Sequence, residues 1–128
     1  MSWGGTMTCN IENKTGGTIT GVSFAHQWNG GVDQPIFNPN DPFTNNMVVP
    51  MTIHVGEGSS DDWTVRFTDA DGNCWYRNEK QCDIEQEDLQ SGKAVHAVLG
   101  PGKVGFSIKL PVSSSCLDNY YDSCNPSS

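Results

Sequence analysis

The stretch "MVVPMTIHV" sets Met47, Val49, Met51, Ile53 and Val55 at every second position. Successive side chains of a strand point to opposite faces, so a run of this period buries one face of a sheet and fits no helix. The signature recurs along the chain. "MTCNI" carries Met7, Cys9 and Ile11 on one face, and "TITGVSFAHQW" carries Val22, Phe24 and Trp28. "WTVRF" turns Trp63, Val65 and Phe67 inward and Thr64 and Arg66 outward, while "VGFSIKL" aligns Val104, Phe106, Ile108 and Leu110. Between these runs lie "NKTGG", "GEGSSDD" and "GPGK", built from turn-forming residues. Pro50 lacks a backbone donor and marks its run as an edge strand or a bulge. About eight short strands at this spacing predict an all-β fold, a two-layer antiparallel β-sandwich of immunoglobulin-like or toxin-like shape.

Two stretches break the pattern. "QWNGGVDQPIFNPNDPF" is dense in Gly, Asn, Asp and Pro and reads mainly as loop, with a short strand at Pro35–Phe37. "QCDIEQEDLQSG" has no strand character, and its acidic residues suit one helical turn closed by Gly92. A chain of 128 residues suits one domain. The sandwich is expected over residues 1–112, followed by a polar tail, 113–128, pinned by its cysteines.

The formal net charge is −8. An acidic surface repels phosphate backbones, which argues against nucleic acid and against anionic lipid. Neutral lipid, sugar or a basic protein remain as partners. "MSWGGTMTCN" lacks a basic and then apolar leader pattern, and no apolar run reaches the roughly 18 residues of a membrane span. The expected location is the cytoplasm, or outside it by a non-classical route. The five cysteines are an odd number, which leaves their redox state ambiguous. Asn13-Lys14-Thr15 fits the glycosylation sequon.

"FTDADGNCWYR" (Phe67–Arg77) offers two chemistries. Asp69-x-Asp71-x-Asn73 opens like a calcium loop, which needs Gly at its sixth position and Glu at its twelfth. Those positions hold Cys74 and Lys80, so the motif fails. Asp71-Gly72 instead suits a two-residue type I′ hairpin turn. A weak calcium alternative gathers Asp61, Asp62, Asp69 and Asp71 at one end of the sandwich; otherwise no cofactor or metal is expected. The cysteines form no C-x-x-C pair, and His26, His54 and His96 sit beside no nucleophile motif. A Cys82–His96 thiol–imidazole pair has no support in spacing, and no catalytic residue is assigned.

The segments "DDWTVRF", "YRNEKQCDIEQED" and "GFSIKLPVSSSC" resemble a small family of single-domain proteins, the "up-regulated in daf" domains, over Met7–Cys116. The resemblance implies a small β-sandwich and no agreed activity. It also implies a bridge between Cys82 and Cys116, with Cys9, Cys74 and Cys124 outside the pattern and their pairing open. By fold analogy alone the architecture is similar to aegerolysins and actinoporins.

Aromatic residues supply the candidate ligand contacts: Trp28, Trp75, Tyr76, Tyr120 and Tyr121. Trp63 begins an alternating strand and belongs to the core. Neighbours on a strand face opposite ways, so with Cys74 and Tyr76 inside, Trp75 stands outside on the face of Arg77. The expected function is non-enzymatic recognition, with loop aromatics, Trp28 and Trp75 first, binding a lipid or membrane surface. A lectin-like carbohydrate module is the second reading. An acidic protein partner of inhibitor or immunity type, contacting through Asp83, Glu85, Glu87 and Asp88, is the third.

Overall fold

A computed structural model describes residues 2–35, 37 and 41–126. The strands are β1 (Gly4–Asn13), β2 (Thr20–Trp28), β3 (Gly31–Asp33), β4 (Val48–Gly56), β5 (Asp62–Thr68) and β6 (Cys74–Gln81). After a short helix α1 (Gln86–Gln90) come β7 (Val95–Leu99), β8 (Phe106–Lys109), β9 (Cys116–Asn119) and β10 (Asp122–Ser123). They form two five-stranded sheets, ordered β4-β1-β7-β8-β9 and β10-β6-β5-β2-β3. The sandwich has ten strands where about eight were expected. The additions β3, β9 and β10 have two to four residues, too few to display an alternation. The short strand expected at Pro35–Phe37 falls across Ile36, which lies outside the described residues.

The alternating runs build the core, except that Met47 and Val104, expected on the inward faces, lie before the regular strands begin and are exposed. Met7, Cys9 and Ile11 of β1, Met51, Ile53 and Val55 of β4, and Trp63, Val65 and Phe67 of β5 are all buried. β4 lies at a sheet edge, where Pro50 opposite Asn10 interrupts no central ladder. One pair departs from the antiparallel expectation: β1 runs parallel to β7, with Cys9 opposite Val95. Parallel neighbours need a long connection. Here β2 to β6 and α1 lie between them in the chain.

The hairpin between β5 and β6 differs from the two-residue type I′ turn. Asp69 N donates to Asn73 O, and Gly72 N donates to Asp69 O. Only Gly72 of the Asp-Gly pair has a positive φ, +85°. The loop is therefore Ala70-Asp71-Gly72, a type I turn completed by a left-handed glycine. Asp69 builds it, its Oδ1 accepting from Asp71 N at 3.0 Å and Asn73 N at 2.9 Å.

Asn13 of the sequon is fully buried, its Nδ2 donating to Gly17 O at 2.9 Å and Phe43 O at 2.8 Å. The folded chain thus withholds the nitrogen that a glycan would need.

The C-terminal segment is woven into both layers. β9 extends one sheet beside β8, and β10 extends the other beside β6. Cys82 and Cys116 pair across the layers at a Cα separation of 6.1 Å, as the family resemblance implied. Cys74 and Cys124 form a second pair at 4.9 Å. Cys9 stays a free thiol within the core, and burial pushes it up to about 12, so it is inert as a nucleophile or ligand.

The acidic run forms α1, closed by Gly92 at φ +71°. Asp88 is not part of a solvated face. It is buried and accepts hydrogen bonds from Glu85 N, Val112 N, Ser113 N and the Ser113 hydroxyl. Burial alone would raise its carboxyl; the bonds from Ser113, Glu85 and Val112 outweigh that and hold it below the usual carboxylate range. The stability it contributes is present above the unfolded carboxyl range and is lost as pH falls through the depressed folded value. Asp88→Asn is expected to lower stability at neutral pH and to flatten its loss below about pH 4, read from unfolding midpoints across an acid series. An unchanged acid slope would contradict this role. Replacing Cys82 and Cys116 together by Ala is expected to remove about 4 kcal/mol, the loop-entropy value for a bridge of this span, as a lower guanidinium midpoint.

Candidate functional site

Strand β5 separates the molecule into two ends. At its far end Phe67 pairs with Trp75, and beyond lie the 69–73 hairpin and the Gly100–Gly105 loop. These two loops and the Thr15–Gly17 turn enclose an open cleft of about 440 Å³, lined by Thr15, Asp69, Asp71, Trp75, Gly102 and Lys103 among others. The local chemistry explains the arrangement. Trp75 lies on the inward face with Phe67, so its indole emerges where the sheets end. Its Nε1 donates to Asp69 Oδ2 at 2.9 Å. Gly102 has no side chain because the indole occupies the place its Cβ would take. Burial tends to raise the Asp69 carboxyl, but the Trp75 N–H and the amides of Asn73 and Asp71 outweigh it and keep it low. Asp69 is thus a fixed anion whose oxygens are already engaged. Asp71 and Lys103 are the exposed charges of the cleft.

The expected aromatics separate. Trp75 lines the cleft from the inward face, which corrects its expected outward position; Tyr76 takes the outward face, opposite exposed Arg66. Tyr121 is no surface contact at all. It is 7 % exposed, meets Phe67 edge-on at 5.1 Å and Phe106 at 6.0 Å, and donates to Gly100 O. Burial raises its phenol, so it stays neutral. Tyr120 is 71 % exposed. Its backbone borders Gly105, which places it beside the cleft loop and near exposed Val104.

Trp28 belongs to the other end. Gln27 pairs with Asp62 at the start of β5, roughly 17 Å along the strand from Phe67. The Trp28 indole is half-buried, stacks on His54 at 5.1 Å and 20°, and its Nε1 finds no acceptor among the described residues. Trp28 and Trp75 therefore cannot enter one surface together. The same strand separates Asp61 and Asp62 from Asp69 and Asp71, which corrects the four-carboxylate calcium grouping. Among the described residues no three His, Cys, Asp or Glu side chains gather as a metal site.

A cluster that alternation alone could not reveal lies near Trp28. His26 is fully buried, with Nδ1 3.0 Å from Asp33 Oδ2 and Nε2 2.6 Å from Asp61 Oδ1. Both ring nitrogens donate only in the imidazolium form. Asp61 Oδ2 also accepts from Ile84 N at 2.8 Å. Asp33 accepts from His54 N and from His54 Nδ1, both at 2.7 Å. Burial alone would raise Asp33; these three donors outweigh it and keep it ionised. Asp33 on β3 and His54 on β4 stand at the edges of opposite sheets, so their contact closes one side of the sandwich. A carboxylate-oriented imidazole has the geometry of a general base. However, no hydroxyl or thiol is bonded to His26 or His54 among the described residues, and His96 is engaged by Glu12 at 3.3 Å. Cys82, bonded to Cys116, has no thiol to pair with His96.

No protein-family model matches the chain, and a search of curated proteins finds no match. The "up-regulated in daf" resemblance rests on its three segments alone.

Replacing His26 by Leu removes the imidazole that bridges two carboxylates, Asp33 and the fully buried Asp61. The expected loss is about 3–5 kcal/mol, against less than about 1 kcal/mol for His54→Ala, whose imidazole is half exposed. Equal losses in chemical denaturation would refute the ranking.

Proposed function

We propose that the chain is a non-enzymatic recognition module that binds a neutral lipid surface through the Trp75 end, taking a zwitterionic headgroup into the cleft. The observation that carries this reading is the company Trp75 keeps. An indole, the Asp69 and Asp71 carboxylates and the Lys103 ammonium line one open cleft; Val104, next in the chain after Lys103, and Tyr120, whose backbone borders Gly105, are exposed. An aromatic ring with adjacent carboxylates suits a quaternary or primary ammonium, and Lys103 suits the phosphate of the same headgroup. Tyr120 and Val104 suit the interfacial layer, where an amphipathic ring and a small apolar side chain sit well. A zwitterion also reconciles membrane contact with a net charge of −8, because it demands no basic patch. Trp28, expected to share this role, is left out of it by its position.

A carbohydrate reading is supported by the same cleft, since an indole edge beside the Asp71 carboxylate also suits sugar hydroxyls. The two differ in what must be presented: a bilayer, or a soluble glycan. No helix among the described residues is long and apolar enough to cross a membrane. Two cystine pairs suit an oxidising setting outside the cytoplasm.

Flotation with phosphatidylcholine vesicles tests the proposal. Folded protein is expected to float with them, and Tyr120→Ala and Lys103→Glu to weaken that binding several-fold, with Trp28→Phe unaffected. Failure of the folded protein to float, or binding only to a soluble oligosaccharide, would overturn the lipid reading.

A further inference from the structure

Beyond Tyr121, the chain is held to β6 by a short set of contacts. β10 is two residues long and pairs Asp122 with Tyr76 and Ser123 with Trp75. Cys124 N donates to Cys74 O at 3.0 Å. Asn125 then closes the edge: its Oδ1 accepts from Cys74 N at 2.7 Å, and its Nδ2 donates to Asn73 Oδ1 at 3.2 Å. These contacts converge on Asn73, Cys74 and Trp75, the residues that join the cleft hairpin to its indole. The covalent part of the attachment is Cys74–Cys124.

The two cystines differ in access. Cys74 and Cys124 are both half-buried, and neither belongs to the core. Cys82 is 2 % exposed, with its backbone tied to the core through Asp61 O and the Trp63 indole N–H, and its half-buried partner Cys116 packs against the core. Exposed disulfides are the labile and regulatory ones, because a thiolate must reach a sulfur to exchange with it. Tyr121 marks how far an opening would spread. It is anchored among Phe67, Trp75 and Phe106, so the chain up to Tyr121 stays docked and only the following residues are released.

We propose that Cys74–Cys124 is a redox-operated latch on the Trp75 cleft, opened by a dithiol reductant while Cys82–Cys116 stays closed. The reductant's thiolate attacks one sulfur of the pair, and the other cysteine leaves as a thiolate. The reductant's second thiol then displaces the first cysteine and closes its own disulfide. Two electrons pass from the dithiol to the protein, and Cys74 and Cys124 take up protons from water to end as thiols. Residues 122–126 then lose their tether, the amide of Cys74 loses its cap, and the edge beneath Trp75 loosens. That this matters for ligand binding rests on the function proposed above; the latch itself does not.

The test needs no ligand. Native protein is titrated with dithiothreitol, and its cysteines are alkylated and mapped by mass spectrometry. Hydrogen exchange and hydroxyl-radical footprinting are read on the same samples. The expected result is alkylation at Cys74 and Cys124 with Cys82 and Cys116 still paired, faster exchange over residues 73–77, and several-fold more oxidation of Trp75 with buried Trp63 unchanged. Cys74→Ser with Cys124→Ser should reproduce the last two changes without reductant; the titration decides alone if that variant does not fold. Simultaneous opening of both cystines, or unchanged exchange and Trp75 oxidation once Cys74–Cys124 is open, would overturn the latch. Vesicle flotation of the oxidised protein stands apart: its failure would count against the lipid reading and leave these results untouched.

Discussion

His26 sits where an all-β sandwich of this pattern would place another aliphatic side chain. It follows Phe24 at the inward period of β2 and packs against the Trp63 ring at 4.5 Å. An imidazole there would cost several kcal/mol if left without partners. Asp33 and Asp61 supply them, and in doing so they fix three otherwise weakly specified segments. Asp61 holds Ile84 at the turn toward α1; Asp33 holds the three-residue β3 against β2 and reaches His54 in the other layer. A strand of three residues has little pairing of its own, so its place depends on that carboxylate. A buried charged cluster is weak evidence for stability, because an apolar replacement of the whole set can serve as well. What it supplies here is register: each carboxylate accepts from donors that only one arrangement of the edges brings together.

The long strands are legible in the sequence because their information is local. A period of two says which face is buried, and Pro50 says which strand stands at an edge. The same pattern says nothing about direction or neighbours, since alternation reads identically either way along the chain. Hence the parallel β1–β7 pair and the C-terminal strands that join opposite sheets are not readable from it. Asp69 shows the limit on a smaller scale. Asp-Gly predicts a hairpin correctly, but the loop length is decided one residue earlier, where the Asp69 carboxylate accepts from two amides ahead of it. One added loop residue is enough to reverse the alternation of β6, which turns Trp75 inward and Tyr76 outward.

Buried polar residues were the other blind spot. Asp61, Asp88 and His26 lie in segments whose composition signals turn, acidic surface or strand, and nothing about their type says that they are interior. The available signal is spacing: Asp88 stands three residues after Glu85, the position from which a side chain returns to the start of a helix. That reading places its carboxylate at the helix entrance. Its second role, holding Val112 and Ser113 at a separation of 24 and 25 residues, needs the fold.

The two ends of the sandwich carry opposite uses of the same residue types. At the Trp28 end, aromatic rings cover the imidazoles of His26 and His54, and the Asp33 and Asp61 carboxylates are taken up by partners inside the protein. At the Trp75 end, one carboxylate orients the indole and another is left to solvent beside a lysine. Chain continuity makes this difference follow from the C-terminus. Tyr121 fills the core beneath Trp75, so the indole cannot sink further, and Gly102 lets the neighbouring loop lie flat against it. An indole held at that depth, with part of its surface in the cleft, follows from packing on three sides. It would persist whether or not the chain used it, and for that reason the exposed neighbours Tyr120, Lys103 and Asp71, which no packing requires, are the stronger pointers to a ligand.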